Sequence, residues 1–87
     1  MSAVFDTQRV IEVIGRTIAP VVGETVATTT GQMHCRRLGI NDGTITAADL
    51  ERLLASVEKG LTVFVGNQAA GKAIAKVRRS LIPEVGA

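Results

Sequence analysis

The hydrophobic residues of this chain are almost entirely aliphatic, and this limits the folds available to it. Of its 87 residues 46% are hydrophobic, yet Phe5 and Phe64 are its only aromatic residues. Small and aliphatic side chains suit helix–helix packing, in which the side chains of neighbouring helices interdigitate closely. The composition therefore favours an all-α fold, and we expect a small helical hairpin or bundle of three to four helices.

The length of the chain limits the size of its core. We expect one helical domain, 1–87, and a domain this short buries only about 60% of the surface that its unfolded chain exposes. Cys35 is the only cysteine and His34 the only histidine, so neither an intrachain disulfide nor an ordinary Cys/His zinc cluster can stabilise the fold. The apolar content exceeds what a thin monomer can bury, which predicts that homo-oligomerisation completes the bundle.

The distribution of apolar and charged residues along the chain indicates the cellular compartment in which we expect the protein. No run of about 18 consecutive apolar residues occurs, because glycine, arginine, threonine or glutamate interrupts each one. The N-terminus lacks the basic segment and apolar core of a signal peptide, so we expect a cytoplasmic protein. The net charge of +2 is too small to indicate a partner, so only the placement of the charges is informative.

Residues 6–39 are predicted to be helical, in one or two segments. Asp6 is a candidate N-cap. Apolar residues then recur at three- and four-residue steps: Val10, Ile11, Ile14, Ile18, Val21 and Val22. Pro20 removes a backbone donor and crowds the preceding turn, so we expect it to kink this helix or to start a second one near residue 20. The β-branched stretch from Val26 to Gly31 weakens the helical prediction.

A turn is expected between the two halves of the chain. Gly39 can cap the preceding helix in the left-handed conformation, and the segment from Asn41 to Gly43 has the composition of a turn. Thr46 and Asp49 then form an acidic variant of the capping box, ahead of leucines at helical spacing. The pattern predicts a helix from residue 47 to about residue 60.

The rest of the chain continues this helical pattern. Leu53 and Leu54 lie on the apolar side of the third predicted helix, and we expect both to be buried. Residues 61–65 suit a strand as well as a helix. We favour a helix or an irregular buried connector, because a single strand would have no partner. A last helix is predicted from Asn67 to about Leu81, ending before Pro83.

Residues 66–73 resemble a phosphate-binding loop, because two glycines and a lysine follow an apolar run and open a helix. In such a loop backbone N–H groups and the lysine hold phosphates, and the next residue supplies a hydroxyl to magnesium. Here that next residue is Ala73, and too little chain follows it to build a parallel sheet. We expect no nucleotide binding; Gly66 then marks a turn and Gly71 allows close helix packing.

Residues 42–50 resemble the second half of an EF-hand calcium loop and the start of its exiting helix. The match covers the turn glycine, the apolar residue Ile45 and the acidic residue Asp49. The first two ligand positions, however, fall on Leu38 and Ile40, which have no side-chain oxygen. We expect no calcium site, because a turn, an apolar anchor and an N-cap explain the segment better.

His34 and Cys35 are adjacent, and adjacent helical residues point about 100° apart, so they do not converge on one metal within a chain. A metal site shared across a symmetric dimer is a weaker alternative. So is a redox role for Cys35, with a thiol pKa lowered by Arg36 and Arg37. Otherwise Cys35 is a core residue and His34 a surface or interface residue. One histidine cannot serve a serine–histidine–acid set as well, so we expect no enzyme, cofactor or metal.

The last predicted helix carries a basic face. It has four cations and no acidic residue between positions 67 and 81, and three of the cations share one face. The simplest interpretation is a solvated face that complements acidic residues on a neighbouring helix or subunit. The alternatives are an acidic protein partner and, less favoured, nucleic acid or an anionic membrane surface. The candidate partner-binding residues are Lys72, Lys76, Arg79, Arg36 and Arg37.

These expectations lead to two function hypotheses. The first is a small non-catalytic adaptor, scaffold or regulatory subunit that acts through protein–protein contacts with itself and with a partner. The second is a small DNA-associated protein that uses Arg36, Arg37 and the basic last helix. The two hypotheses differ in their salt dependence, because affinity for phosphate groups falls steeply as salt is added.

Overall fold

Four helices make up most of the structure. The computed structural model describes residues 4–40 and 43–81, so the predicted turn residues Asn41 and Asp42, and the chain after Leu81, lie outside the described residues. In chain order the elements are β1 (Val4–Asp6), α1 (Thr7–Val22), α2 (Glu24–Arg37), β2 (Thr44–Thr46), α3 (Ala47–Val65) and α4 (Asn67–Leu81). The predicted all-α bundle is confirmed, with four helices.

Two of the helices begin at the predicted N-caps. The Asp6 carboxylate accepts hydrogen bonds from the backbone N–H groups of Gln8 and Arg9, at 2.9 and 3.5 Å. The Thr46 hydroxyl accepts one from the N–H group of Asp49, at 3.2 Å. Both caps satisfy backbone donors that the first turn of a helix leaves without an intrahelical partner. The sequence prediction of these two helix starts is confirmed.

The break between the first two helices comes at a glycine, not at the proline. Pro20 lies inside α1, which continues to Val22, so the expected break near residue 20 is displaced to Gly23. Gly23 has φ 90° and ψ 157°, and Gly66, between α3 and α4, has φ 88° and ψ 167°. Residues with a Cβ atom rarely adopt this conformation. A sharp change of chain direction at a single residue with positive φ therefore requires glycine. Proline cannot replace it, because its ring fixes φ at a negative value.

The two halves of the chain repeat one pattern of elements, which no internal similarity in the sequence indicated. Each half consists of a three-residue strand, a helix, a single glycine and a second helix. β1 and β2 pair in an antiparallel two-stranded sheet, with Phe5 opposite Ile45. Three residues are too few for an alternating pattern to stand out, and for this reason the sequence did not predict either strand.

The four helices pack in a ring around one core. α1 contacts α2 and α4, and α3 contacts the same two helices. The largest fully buried side chains are Val10, Ile14, Ile18, Ile45, Leu50, Leu53, Leu54, Val57, Ile74 and Val77. The predicted burial of Leu53 and Leu54 is confirmed, whereas Val21, which the apolar pattern also placed inward, is 43% exposed. In such a ring the face between α1 and α4 lies opposite the face between α2 and α3.

The threonine-rich segment of α2 is helical, although its β-branched residues weakened the prediction. Thr28, Thr29 and Thr30 each donate a side-chain hydrogen bond to a carbonyl oxygen one turn earlier in α2. Their hydroxyl groups are therefore satisfied within the helix. The outer surface of this part of α2 can then contact other residues through the threonine methyl groups.

Residues 61–65 form the last turn of α3, so the strand alternative is wrong and the helical one is confirmed. Only part of this turn is buried. Leu61 is 3% exposed and belongs to the core, while Val63 is 84% and Phe64 69% exposed. An exposed phenylalanine is unexpected in a chain with two aromatic residues, and it directs attention to the surface beside it.

Replacing Gly71 by alanine is expected to stabilise the protein by about 0.5–1 kcal/mol, because alanine has the higher helix propensity. Gly71 lies inside α4, and an added Cβ would lie 3.8 Å from the Glu58 carboxylate, an ordinary contact. The expectation that Gly71 allows close helix packing is therefore wrong. The control is Gly31→Ala, where the added Cβ would approach Ile11 Cγ2 to 3.2 Å. Urea unfolding should show the first variant to be the more stable one, and the reverse order would contradict this packing.

Candidate functional site

An apolar groove lies between α2 and α3. Its rim carries three exposed side chains, Val26, Met33 and Phe64, and Val57 and Leu61 of the core form its base. The groove has a volume of about 170 Å³. Isolated apolar residues are common on protein surfaces, but a contiguous group around a groove is typical of an interaction site. We refer to this surface as the apolar groove.

Among the described residues, no aspartate, glutamate, lysine or arginine lines the apolar groove. Its polar members are Thr29, Thr30 and His34. The two threonine hydroxyls donate to carbonyl oxygens within α2, so they need no partner from a docked molecule. Burial lowers the pKa of His34 below its ordinary value, and the positive charge of Arg37 lowers it further, so the imidazole is neutral at pH 7. A partner that covers the groove therefore desolvates no charged group.

His34 connects α2 to α3 from a buried position. Its side chain is 6% exposed, so the surface alternative is wrong and the interface alternative stays a prediction. Its Nδ1 atom lies 2.6 Å from Ser56 Oγ. The ring packs against Gly60, where a Cβ atom would lie 3.5 Å from Nε2. Ser56 was not predicted from the sequence, because no local pattern relates it to His34. We interpret the pair as a hydrogen bond that satisfies two polar groups between packed helices.

The structure contradicts the expected effect of the arginines on Cys35. The thiol is buried, and burial raises its pKa above the ordinary value instead of lowering it. A buried thiol with a raised pKa forms little thiolate at neutral pH. Cys35 is therefore a residue of the hydrophobic core, as the simpler interpretation held.

Three of the predicted partner-binding residues share a surface. Lys72, Lys76 and Arg79 line an open groove between α4 and α1. Arg9 and Arg16 of α1 line the same side of the molecule, together with Lys76. The sequence analysis missed both arginines, although their seven-residue spacing places them on one face of a helix. These five cations define what we call the basic groove.

The other two predicted residues lie elsewhere. Arg36 lines a separate pocket at the start of α1, beside Asp6 and Gln32. Arg37 lies at the end of α2, close enough to His34 to lower its pKa. The five residues that we selected from the sequence therefore do not form one patch, and only the three on α4 belong to the basic groove.

Arg78, the fourth cation of α4, faces the neighbouring helix. It donates two hydrogen bonds to the Glu51 carboxylate of α3, at 2.7 and 3.2 Å. Within residues 4–40 and 43–81 the only other salt bridge joins Arg52 to Asp49, at 2.9 Å. The expected match between basic and acidic helices thus holds for Arg78. Among the same residues, the cations of the basic groove contact no carboxylate.

The segment that resembles a phosphate-binding loop is helical. α4 begins at Asn67, directly after Gly66, and the backbone N–H of Ala70 already donates to the Gly66 carbonyl oxygen at 3.1 Å. The chain therefore passes from one helix to the next at a single residue and does not wrap around a phosphate position. The Lys72 side chain instead lines the basic groove.

The segment that resembles half of a calcium loop is explained by its packing. Ile45 is 2% exposed, and Leu38 and Ile40 pack against the core. The Asp49 carboxylate pairs with Arg52. In the part of the chain that the structure describes, no three histidine, cysteine or acidic side chains come together as a metal site would require.

Comparison with protein-family models, curated proteins and solved structures finds no match to this chain. Among the described residues, no helix has both the length and the apolar character needed to cross a membrane. A function for the protein is therefore inferred from its own surfaces.

Proposed function

We propose that the protein is a small non-catalytic helical adaptor that associates with a second copy of itself through the apolar groove. The observation that carries this proposal is the exposure of Met33 and Phe64 on either side of one groove, at 45% and 69%. Burying a large apolar side chain contributes roughly 1.5–3 kcal/mol relative to leaving it exposed. In a symmetric dimer each such residue is buried twice.

The absence of charge favours a second copy as the occupant. A two-fold axis brings each surface against the same surface of the partner, so a charged patch would repel its own copy. None of the described residues that line the apolar groove is charged at pH 7, since His34 is neutral there. The basic groove, in contrast, cannot face itself without bringing cations together. Of the two grooves, only the apolar one suits self-association.

The size of the protein is consistent with this arrangement. A stable interface buries about 800 Å² per partner, and the chain exposes 5620 Å² in total. One of the four faces of the bundle is therefore sufficient. A dimer formed through the α2–α3 face would leave both α1–α4 faces exposed on the outside. It could then present two equivalent surfaces to partners, as an adaptor requires.

The cytoplasm is the compartment that we propose for this adaptor. The lone, buried thiol of Cys35 is compatible with the reducing conditions of that compartment.

Association with DNA is the second candidate function, and one observation supports it. Arg9 and Arg16 extend the basic surface of α4 onto α1, which enlarges the area that a polyanion could contact. Arg36 and Arg37 no longer contribute to this alternative, because they lie outside the basic groove.

Phe64→Asp is expected to convert the dimer into a monomer. The new carboxylates would have to be buried in the interface, which is unfavourable without a cationic partner. The matched control is Val63→Asp, on the same helix, 84% exposed and outside the groove. Sedimentation equilibrium at low micromolar concentration should give a dimer for the wild type and for Val63→Asp.

Two results would contradict the proposal. A wild-type chain that sediments as a monomer at about 100 µM would exclude a stable dimer, since this concentration corresponds to a binding free energy of only about −5.5 kcal/mol. A Phe64→Asp variant that remains dimeric would place the interface on another face. Far-ultraviolet circular dichroism should show that both variants keep the helical content of the wild type.

A further inference from the structure

The basic groove is one continuous depression along α1 and α4. Its two parts share three lining residues, Thr17, Pro20 and Lys76. The part nearer the start of α4 has a volume of about 560 Å³. Its apolar lining consists of Pro20, Val21, Ala69, Ala73 and Ala75. The groove therefore has an apolar lining as well as a basic one, and we call these apolar residues its floor and the five cations its rim.

The charges of the rim call for an anionic occupant. Five cations line the groove, and no carboxylate of the described residues lines either part of it. Cations that line the same groove repel one another, and the carboxylates of an acidic partner offset this repulsion. Lys72 and Arg79 are seven residues apart on α4, which corresponds to about two helical turns or 10 Å. Acidic groups spread over a similar length would face them.

The floor distinguishes between the possible anions. A phosphate backbone carries charge along its whole length but has no apolar stripe to cover Val21 and Pro20, of which Val21 is 43% exposed. An amphipathic helix has such a stripe, and its acidic residues can flank it on both sides. The alanines at positions 69, 73 and 75 lack bulky side chains, so a docked helix can approach α4 closely.

We propose that the basic groove binds an acidic amphipathic helix of a partner protein. The helix lays its apolar stripe on the floor between α1 and α4, and its carboxylates pair with the five cations of the rim. This inference rests on the proposed adaptor function and adds to it the chemistry of the partner. The basic groove and the apolar groove share no lining residue among those described, so partner binding and self-association use separate surfaces.

The test uses a synthetic peptide of about 18 residues, long enough to form a helix. It carries leucines at helical spacing with glutamates on both sides of the leucine stripe, and a fluorescent label reports binding by anisotropy. The comparison probe is a scrambled peptide with the same composition and no stripe. We expect the patterned peptide to bind at least about ten-fold more tightly, because only it can cover the floor.

The variant Lys72→Glu/Lys76→Glu should weaken binding of the patterned peptide by at least about ten-fold, because two attractive pairs become repulsive. The matched control is Arg36→Glu/Arg37→Glu, which changes the net charge equally outside the groove and should bind within about two-fold of the wild type. Thermal unfolding would show whether each variant is folded. Equal binding of both peptides, or equal loss in both double variants, would overturn the inference.

Two further probes test the other anions. A DNA duplex and vesicles of anionic phospholipid are each titrated at about 50 and 200 mM salt. If the duplex or the vesicles bound more tightly than the patterned peptide, and if Lys72→Glu/Lys76→Glu lost that binding, the acidic helix would be overturned as the occupant.

Phe64→Asp should still bind the peptide as a monomer. A wild-type chain that is dimeric but binds no peptide would therefore refute this inference alone. A wild-type chain that is monomeric but binds the peptide would refute only self-association.

Discussion

Replacing Leu54 by alanine is expected to lower the free energy of unfolding by about 2–5 kcal/mol. Leu54 is fully buried on the inner face of α3, where it joins the core that all four helices share. The substitution removes apolar contacts and leaves a cavity that close-packed neighbours fill only in part. A small domain has a stability of only about 5–15 kcal/mol, so this loss is a large fraction of the total. Urea unfolding followed by circular dichroism measures it directly.

The matched control for this substitution is Val63→Ala. Val63 belongs to the same helix, but it is 84% exposed and lines neither groove. Its replacement should change the free energy of unfolding by less than about 0.5 kcal/mol, as is usual for surface positions. If Leu54→Ala and Val63→Ala changed stability equally, α3 would have to be rotated about its axis relative to the structure described above.

Gly66→Ala is expected to destabilise the protein by about 1–3 kcal/mol. With φ 88° and ψ 167°, Gly66 has a conformation that an L-alanine adopts only with strain. Apart from its chain neighbours, no atom of the described residues lies within 4 Å of the added Cβ, so the effect arises from the backbone and not from a clash. Gly23→Ala should behave in the same way, because Gly23 has nearly the same backbone angles. Thermal or urea unfolding of both variants provides the measurement.

Two comparisons isolate the backbone effect at Gly66. Gly71 also has room for a Cβ atom among the described residues, but it lies inside α4 and has no positive φ, so Gly71→Ala should not destabilise the protein. A chemically synthesised chain with D-alanine at position 66 should be at least as stable as the wild type, because a D-residue favours positive φ. Equal destabilisation by L- and D-alanine at this position would contradict the backbone explanation.

Local signals in the sequence were sufficient to predict where α1 and α3 begin and where α4 begins and ends. Asp6 and Thr46 act through hydrogen bonds to residues two and three positions later, and such short-range chemistry can be read without the fold. The bounds of α4, Asn67–Leu81, follow in the same way from Gly66 and the spacing of its apolar residues. Pro20 was misleading, because α1 contains this proline in its last turn and the chain changes direction at Gly23 instead.

The two grooves could not be predicted from local signals, because each is formed by residues that are distant in the chain. The basic residues of α4 were recognised, but their association with Arg9 and Arg16 appears only once α1 packs beside α4. The hydrogen bond between His34 and Ser56 joins two helices and leaves no periodic signal in either one. Exposure of Phe64 could not be predicted for a related reason. Its helix has an ordinary apolar pattern, and only the packing determines which apolar residues remain outside the core.

The short sheet at the start of α1 and α3 has an energetic consequence for folding. Its central pair, Phe5 and Ile45, joins positions separated by roughly 40 residues, and closing a flexible loop of that length costs about 3 kcal/mol of chain entropy. Hydrogen bonds between strands of three residues contribute about 1 kcal/mol each, so they barely offset this cost. The hairpins formed by α1 with α2 and by α3 with α4, in contrast, bring together residues that are closer in the chain. The strand pair is therefore held in place by the helices packed around it. It forms when the two hairpins assemble, and it does not determine how they assemble.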